Sequence, residues 1–231
     1  MSAIQGSPSR GSPSRGSPSR DAFGLPDYLC PNLALLSIGL NPSLPSVRSG
    51  VYFGNPRNRF WRALIEAEIV PLNCAATALT PSVLAALLSD RTLGFTDVVK
   101  RPTRGVRDLQ SADYRRWVPV LCAKLVTYRP NIIWFHGRVA AQQFVRFASF
   151  HDESRPVDWP PSVEWGWQAW RYAGRDVFVS PNPSSANAAF SLQDLVHAYR
   201  PLEARLRSNP RGRFGNHSNE HRDATKNPER R

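Results

Sequence analysis

The chain has 231 residues, is 41% hydrophobic, and carries a formal charge of +12 with an isoelectric point near 10.6. Its length suits one ordinary domain plus tails, no apolar run approaches the roughly 18–20 residues of a membrane span, and residues 1–20 lack the apolar stretch of a secretory signal. The excess charge is not confined to the ends: residues 1–22 hold +2, residues 207–231 hold +4, and the middle holds the rest. That balance points to a polyanionic partner, nucleic acid first. Cys30, Cys74 and Cys122 are scattered and form no CxxC pair, which argues against a disulfide framework, an iron–sulfur centre or a metal site and favours a reducing compartment.

In chain order, residues 6–20 are three copies of Gly-Ser-Pro-Ser-Arg, with almost nothing to bury and Ser-Pro steps open to phosphorylation. Disordered tails are expected over 1–27 and 208–231, with one domain over 28–207. Leu33–Ile38 is an apolar run stopped by Gly39, as in a buried parallel strand. Asn58–Ala67 reads as a helix, followed by a connection near Pro71. Pro81–Ser89 is a second helix with Pro in its first turn, and Gly94–Val99 is a short apolar segment. Ser111–Tyr128 is helical in period, with Pro119 expected to bend or split it. Ile132–Phe135 is a second buried strand, Val139–Phe150 a helix, and 151–164 a Pro-rich surface insertion. Asp176–Ser180 is a third strand and Ser191–Arg207 the last helix. Such alternation predicts an α/β fold, a three-layer α/β/α sandwich on a mostly parallel sheet. Ligands of such sheets sit beyond the carboxyl ends of the strands, which selects Gly39–Ser43, His136-Gly137 and Pro181–Ala189.

The first of these places is Gly39-Leu40-Asn41-Pro42-Ser43, a tight turn that presents an amide able to hold a water in line, or simply to close an Asx turn. The run Gly50-Val51-Tyr52-Phe53-Gly54-Asn55-Pro56-Arg57-Asn58-Arg59-Phe60-Trp61 interleaves aromatic residues with arginines, suited to bases and phosphates. Phe60 and Trp61 are expected in the core, and Phe53, in a loop, is free for other work. Pro181-Asn182-Pro183-Ser184-Ser185-Ala186-Asn187 offers small residues and hydroxyls that can pinch a phosphate backbone, or an ordinary strand-to-helix connection.

Taken in order, these blocks resemble the mismatch-specific uracil and thymine DNA glycosylases of the uracil-DNA glycosylase superfamily. Gly39–Ser43 is similar to the family's first motif, Asn55–Trp61 to the segment after it, Gly94–Thr103 to a third block, Tyr128–Gly137 to the middle strand and Pro181–Ser185 to the second motif. The likeness covers about residues 30–207. It implies a uracil-DNA-glycosylase-like fold and hydrolysis of the bond between sugar and a mispaired uracil, thymine or related damaged pyrimidine in double-stranded DNA, initiating base excision repair. Under it Asn41 positions the hydrolytic water, and Leu40, Phe53, Asp97 and Thr103 line the base pocket, Phe53 by stacking. Ser43, Arg57, Arg59, Asn182, Ser184 and Ser185 face the DNA, and Ala186 or Asn187 is the wedge. A monomer, no cofactor, no metal and a nuclear location are expected.

The chemistry follows from the leaving group. An anionic pyrimidine departs from a cation-like sugar, which calls for a placed water and donors toward the base. An Asn orients water without taking its proton, so slow chemistry is expected. No Lys is placed to attack the sugar, so no strand-cleaving Schiff base is expected. A mispaired base is cheaper to flip. Three features depart from the family pattern: Asp97 stands where relatives carry an amide or Lys, the loop after Ser185 lacks a large wedge, and the helix around Arg116-Trp117-Val118-Pro119 lacks a Gly-Gly-Arg step. Rival readings are another branch of the superfamily, a non-enzymatic DNA- or chromatin-binding protein on this fold, and a generic α/β small-molecule enzyme. The last lacks a Gly-rich phosphate loop and a Ser/His/Asp constellation.

Overall fold

Four apolar segments that read as strands or near-strands become the parallel part of one sheet. The structure is a computed structural model that describes residues 24–70, 79–90, 92–149, 159 and 161–208. The elements are β1 (Leu35–Gly39), α1 (Leu44–Ser49), α2 (Phe60–Glu66), α3 (Pro81–Ser89), β2 (Leu93–Asp97), α4 (Ser111–Tyr128), β3 (Ile132–His136), α5 (Arg138–Phe147), β4 (Gly166–Tyr172), β5 (Arg175–Ser180) and α6 (Leu192–Ser208). Sheet order is β2-β1-β3-β5-β4. The first four are parallel, and β4 pairs antiparallel to β5 at the edge.

Alternate residues of each strand feed opposite cores. Leu35, Phe95, Trp134 and Phe178 pack with α2, α3 and α6 on one face. Leu36, Ile38, Ile133, Phe135, Val177 and Val179 pack with α4 and α5 on the other. Both faces being covered is why these strands read as continuous apolar runs. The chain leaves β1 for β2 on one side and then crosses to β3 on the other. The carboxyl ends of β1 and β3 therefore form a topological switch point, where open α/β sheets leave a crevice.

Several expectations change. Pro119 does not split α4, which runs unbroken through it. Pro119 lies on the exposed face, so the carbonyl that loses its partner meets water. The domain begins before residue 28: Leu25 is buried in the core, and Asp27 is ion-paired to Lys100 and Lys124. The strand β4 and the short helix α1 were absent from the pattern reading. β4 alternates Trp167, Ala169 and Arg171 with Gln168 and Trp170, and its hairpin turn Ala173-Gly174 has positive φ at both residues, the geometry of a two-residue hairpin. The terminal tails, Cys74, the connection near Pro71 and most of the 151–164 insertion lie outside the described residues.

Candidate active site

The turn after β1 is built around Asn41. Its Nδ2 donates to Thr103 Oγ1 at 2.8 Å, Arg101 O at 3.1 Å and Pro42 O at 3.4 Å. Carbonyl oxygens only accept, so these contacts fix which end of the amide is nitrogen and leave Oδ1 as the atom able to accept from a water. Thr103 is anchored in turn: its hydroxyl donates to Gly105 O at 2.9 Å, and its N–H to Pro42 O at 3.2 Å. Ser43 caps α1 by accepting from Ser46 N–H, and donates to Ser46 Oγ. It is held within the turn, at the cavity wall. Leu40 lines the cavity, and its carbonyl accepts from Val99 N–H at 2.9 Å.

Beyond this turn lies a cavity of about 160 Å³, bounded by Asn41, Phe53, Asp97, Thr103, His136 and Asn182 among others. A void near 150 Å³ holds one benzene ring, so the space suits a single six-membered ring. Phe53 adopts a left-handed backbone conformation, φ +56°, which is uncommon for a bulky residue and costs on the order of 1–3 kcal/mol. Its ring stacks on Phe60 at 3.9 Å between centroids and meets the His136 ring edge-on at 5.0 Å. Packing holds the strained loop so that Phe53 forms cavity wall. Phe60 and Trp61 are core, as expected.

Asp97 is buried at the end of β2, and a Cβ on Gly39 would come within 2.5 Å of its Oδ1. Only glycine lets the carboxyl group lean over β1. Its Oδ2 lies 3.7 Å from Lys100 Nζ and has no hydrogen-bond partner. Lys100 is 4% exposed; it donates to Asp27 Oδ1 at 2.8 Å and to the Tyr52 hydroxyl at 2.9 Å. Lys124 completes a balanced set of two ammonium and two carboxylate groups by pairing with Asp27. Burial pushes Asp97 up to about 6, against the pull of Lys100. Burial also pushes His136 down to about 3. Its Nε2 is 2.8 Å from Ser37 Oγ, while Nδ1 has no partner.

These two groups set opposite pH dependences. Between about 6.5 and 3 the unfolded chain protonates His136 and the folded chain does not, so His136 removes stability as pH falls. Asp97 takes its proton near 6 when folded and near 3.8 when unfolded, so its contribution grows as pH falls through that window and is lost as pH rises through 6. The slopes, about 1.4 kcal/mol per pH unit each, oppose one another between roughly pH 6 and 4. Urea denaturation should show nearly level stability there for the wild type. Asp97→Asn should lose about 1.4 kcal/mol per unit; parallel profiles for the two proteins would refute the Asp97 titration.

The 182–190 loop differs from expectation in two places. Arg59 does not face outward as a phosphate contact. Its guanidinium donates to the carbonyls of Ser184 (2.7 Å), Asn187 (2.9 Å), Pro183 (3.4 Å) and Phe190. Asn187 is not a wedge: its Nδ2 donates to Asn182 O at 2.9 Å and pins the side chain inside the loop. Asn182 Oδ1 accepts from Ser184 N–H, and Ser184 Oγ from Ala186 N–H. Ser185 and Ala186 remain exposed at the tip, and Arg57 is exposed away from the cavity wall. The cavity mouth also carries Arg104-Gly105-Val106, an exposed turn that the sequence reading passed over. His136 falls in one of the three strand-end places selected for a ligand, with no chemical role attached, and it lines the cavity. A lone polar residue closing an otherwise apolar strand was the available signal for it.

Among the described residues no three His, Cys, Asp or Glu side chains converge to hold a metal, and no helix is long and apolar enough to cross a membrane. Residues 26–203 match the sequence model of the uracil DNA glycosylase superfamily. A G/U mismatch-specific uracil DNA glycosylase of Schizosaccharomyces pombe is 28% identical over 169 residues, 73% of this chain and 49% of that protein. The chain thus spans about half the length of that curated relative. A solution NMR structure from Methanosarcina acetivorans, of a protein named as a candidate uracil DNA glycosylase, shares the fold at a TM-score of 0.50, with 24% identity over 78% of this chain and 98% of that one.

Proposed function

The chain belongs to the uracil DNA glycosylase superfamily, and from that premise we propose that it is a monofunctional glycosylase hydrolysing the N-glycosidic bond of uracil, and more slowly thymine, mispaired with guanine in double-stranded DNA. The observation that carries this reading is the Asn41 amide. Three oxygens hold its nitrogen, and its oxygen is left for a water at the edge of a one-ring cavity. The flipped base enters the cavity against Phe53, a stack worth roughly 1–3 kcal/mol. Asn41 Oδ1 accepts a hydrogen bond from the attacking water and aims its oxygen at the sugar carbon as the bond to the base lengthens. The base leaves with the bonding electron pair, and the water's proton passes to solvent. Asn41 is no base, and the buried Asp97 carboxylate opposes negative charge on the departing ring, so the chemical step is slow. Lys100 is enclosed and paired with Asp27, which supports hydrolysis over amine attack.

Exposed Arg104 and Ser185, both at the cavity wall, mark the side on which a duplex phosphate backbone would lie. The same reading places the protein in the nucleus as a monomer that opens base excision repair. Its test is single-turnover incubation with duplexes carrying one G·U, G·T or A·U pair. The expected result is an abasic site with the strand intact until alkali, fastest for G·U. Tight binding without abasic product would instead favour the non-enzymatic DNA-binding reading.

A further inference from the structure

Lys100 is a buried ammonium shared unequally between two carboxylates. Around its Nζ lie Asp27 Oδ1 at 2.8 Å, the Tyr52 hydroxyl at 2.9 Å and Asp97 Oδ2 at 3.7 Å. The first two are hydrogen bonds. The third is an ion pair without one, and Asp97 Oδ2 has no other hydrogen-bond partner. A charge-assisted N–H···O bond normally closes to about 2.7–2.9 Å, so Asp27 holds the ammonium and Asp97 meets it only across a gap. The reason lies in how Asp27 is mounted. Its segment runs along the outer edge of β2, where Tyr28 exchanges two backbone hydrogen bonds with Phe95, both 2.9 Å. A Cβ on Gly24 would come within 2.5 Å of Lys100 O, so the segment lies tight against the chain beyond β2. Thr96 Oγ1 donates to Asp27 Oδ1 at 2.7 Å, and Lys124 on α4 pairs with Oδ2. Asp27 is thus fixed from β2, from the residues after it and from α4. Leu25 of the same segment lines the cavity, as Asp97 does.

The charges bearing on Asp97 come from every element packed against it. Burial and the Asp27 carboxylate favour its neutral form, while Lys100 beyond β2, Tyr52 from the loop before α2 and Lys124 from α4 favour the charged form. Gly39, its neighbour on β1, has no side chain, and burial holds His136 of β3 neutral. Arg104 lines the same cavity from the exposed turn. We propose that Asp27 is a positioning residue for excision: by holding Lys100 away from Asp97, it leaves the Asp97 carboxyl group able to take a proton and so sets the charge of the cavity wall. The inference rests on the glycosylase reading above and concerns the regulation of that same site. The base leaves with the bonding electron pair, so an ionised Asp97 opposes its departure and a neutral one does not. Asp97 takes its proton, from solvent, near 6. When Asp27 loses its charge, two things change together. Lys100 becomes free to close the 3.7 Å gap, and the repulsion between the two carboxylates disappears. Both changes stabilise the ionised form of Asp97.

The test compares wild type, Asp27→Asn, Lys100→Met, Asp97→Asn and the Asp27→Asn/Asp97→Asn double variant from about pH 7.5 to about pH 5. One readout is the carboxyl-carbon NMR titration of aspartate-labelled protein, in which the Asp97 signal is the one missing from Asp97→Asn. The other is single-turnover excision of uracil opposite guanine. Wild-type excision should rise about tenfold as pH falls through the Asp97 midpoint, and Asp97→Asn should show no such rise. Asp27→Asn should move the midpoint down by about one pH unit in both readouts, which lowers excision near pH 6 by about fivefold. Lys100→Met removes the counter-charge and should move the midpoint up. The double variant should match Asp97→Asn. A purely structural Asp27 would instead slow excision at every pH, leave the midpoint in place and keep its effect in the double variant, and that pattern overturns the proposal. A midpoint that moves while excision stays level overturns it as well. If melting curves show that Asp27→Asn does not fold, Lys100→Met decides, and a midpoint that fails to rise is the overturning result. If the wild type excises no uracil although the NMR midpoints move as expected, the glycosylase reading falls and the ionic linkage among Asp27, Lys100 and Asp97 stands.

Discussion

Asn41→Ala should reduce single-turnover excision from a G·U duplex by about 10²–10³-fold, the range expected when a catalytic group that positions a reactant or a developing charge is lost. Asn41 is the cavity-wall side chain whose amide nitrogen is held by three oxygens, leaving its oxygen as the acceptor. The substitution removes that oxygen, and it also frees Arg101 O and Thr103 from their shared donor. Thr103→Val separates the two effects. It keeps Oδ1 but loses the 2.8 Å anchor, so the amide can swing, and a loss of about tenfold is expected from imperfect aim. Affinity for a duplex containing an abasic site should be nearly unchanged in both, since neither contact is to DNA backbone. Equal activity of Asn41→Ala and wild type would remove the water-positioning role. Equal losses in the two variants would show that Asn41 acts only by shaping the turn.

Arg59→Ala should destabilise the protein by about 2–4 kcal/mol and lower excision by more than tenfold. The guanidinium donates to four carbonyls of the 183–190 loop, and the Arg59 N–H adds a bond to Pro183 O at 3.1 Å. Without the guanidinium the segment carrying Ser184, Ser185 and Ala186 keeps only that backbone bond and the contacts of Asn182 and Asn187. Arg59→Lys should rescue little, because a single ammonium cannot span carbonyls that a planar fork reaches together. Urea denaturation and the G·U assay read the two effects. The contrary outcome is specific: unchanged stability, with the salt dependence of duplex binding reduced by about one phosphate contact, would return Arg59 to the DNA surface.

The sequence by itself determined the parts that depend on local periodicity and on chain ends of strands. Buried runs at 33–38, 132–135 and 176–180 became β1, β3 and β5, and Pro81–Ser89 and Ser111–Tyr128 formed helices with those limits, because alternate faces bury in two cores and caps act within a turn. The turn holding Asn41 was legible for the same reason: Gly39 and Pro42 restrict the chain around it. β4 was missed because an edge strand exposes one face, so its apolar pattern is broken by Gln168 and Arg171. Only the tertiary structure decided which polar side chains look outward. Arg59 binds residues 124–131 positions away, and Asn187 turns back on Asn182; a charged or amide side chain satisfies whatever carbonyl the fold brings near, and sequence spacing does not record that. The same holds for Asp97 and His136. Each ends its strand, but parallel pairing is what sets both beside Gly39 at the cavity wall, where burial shifts their protonation in opposite senses.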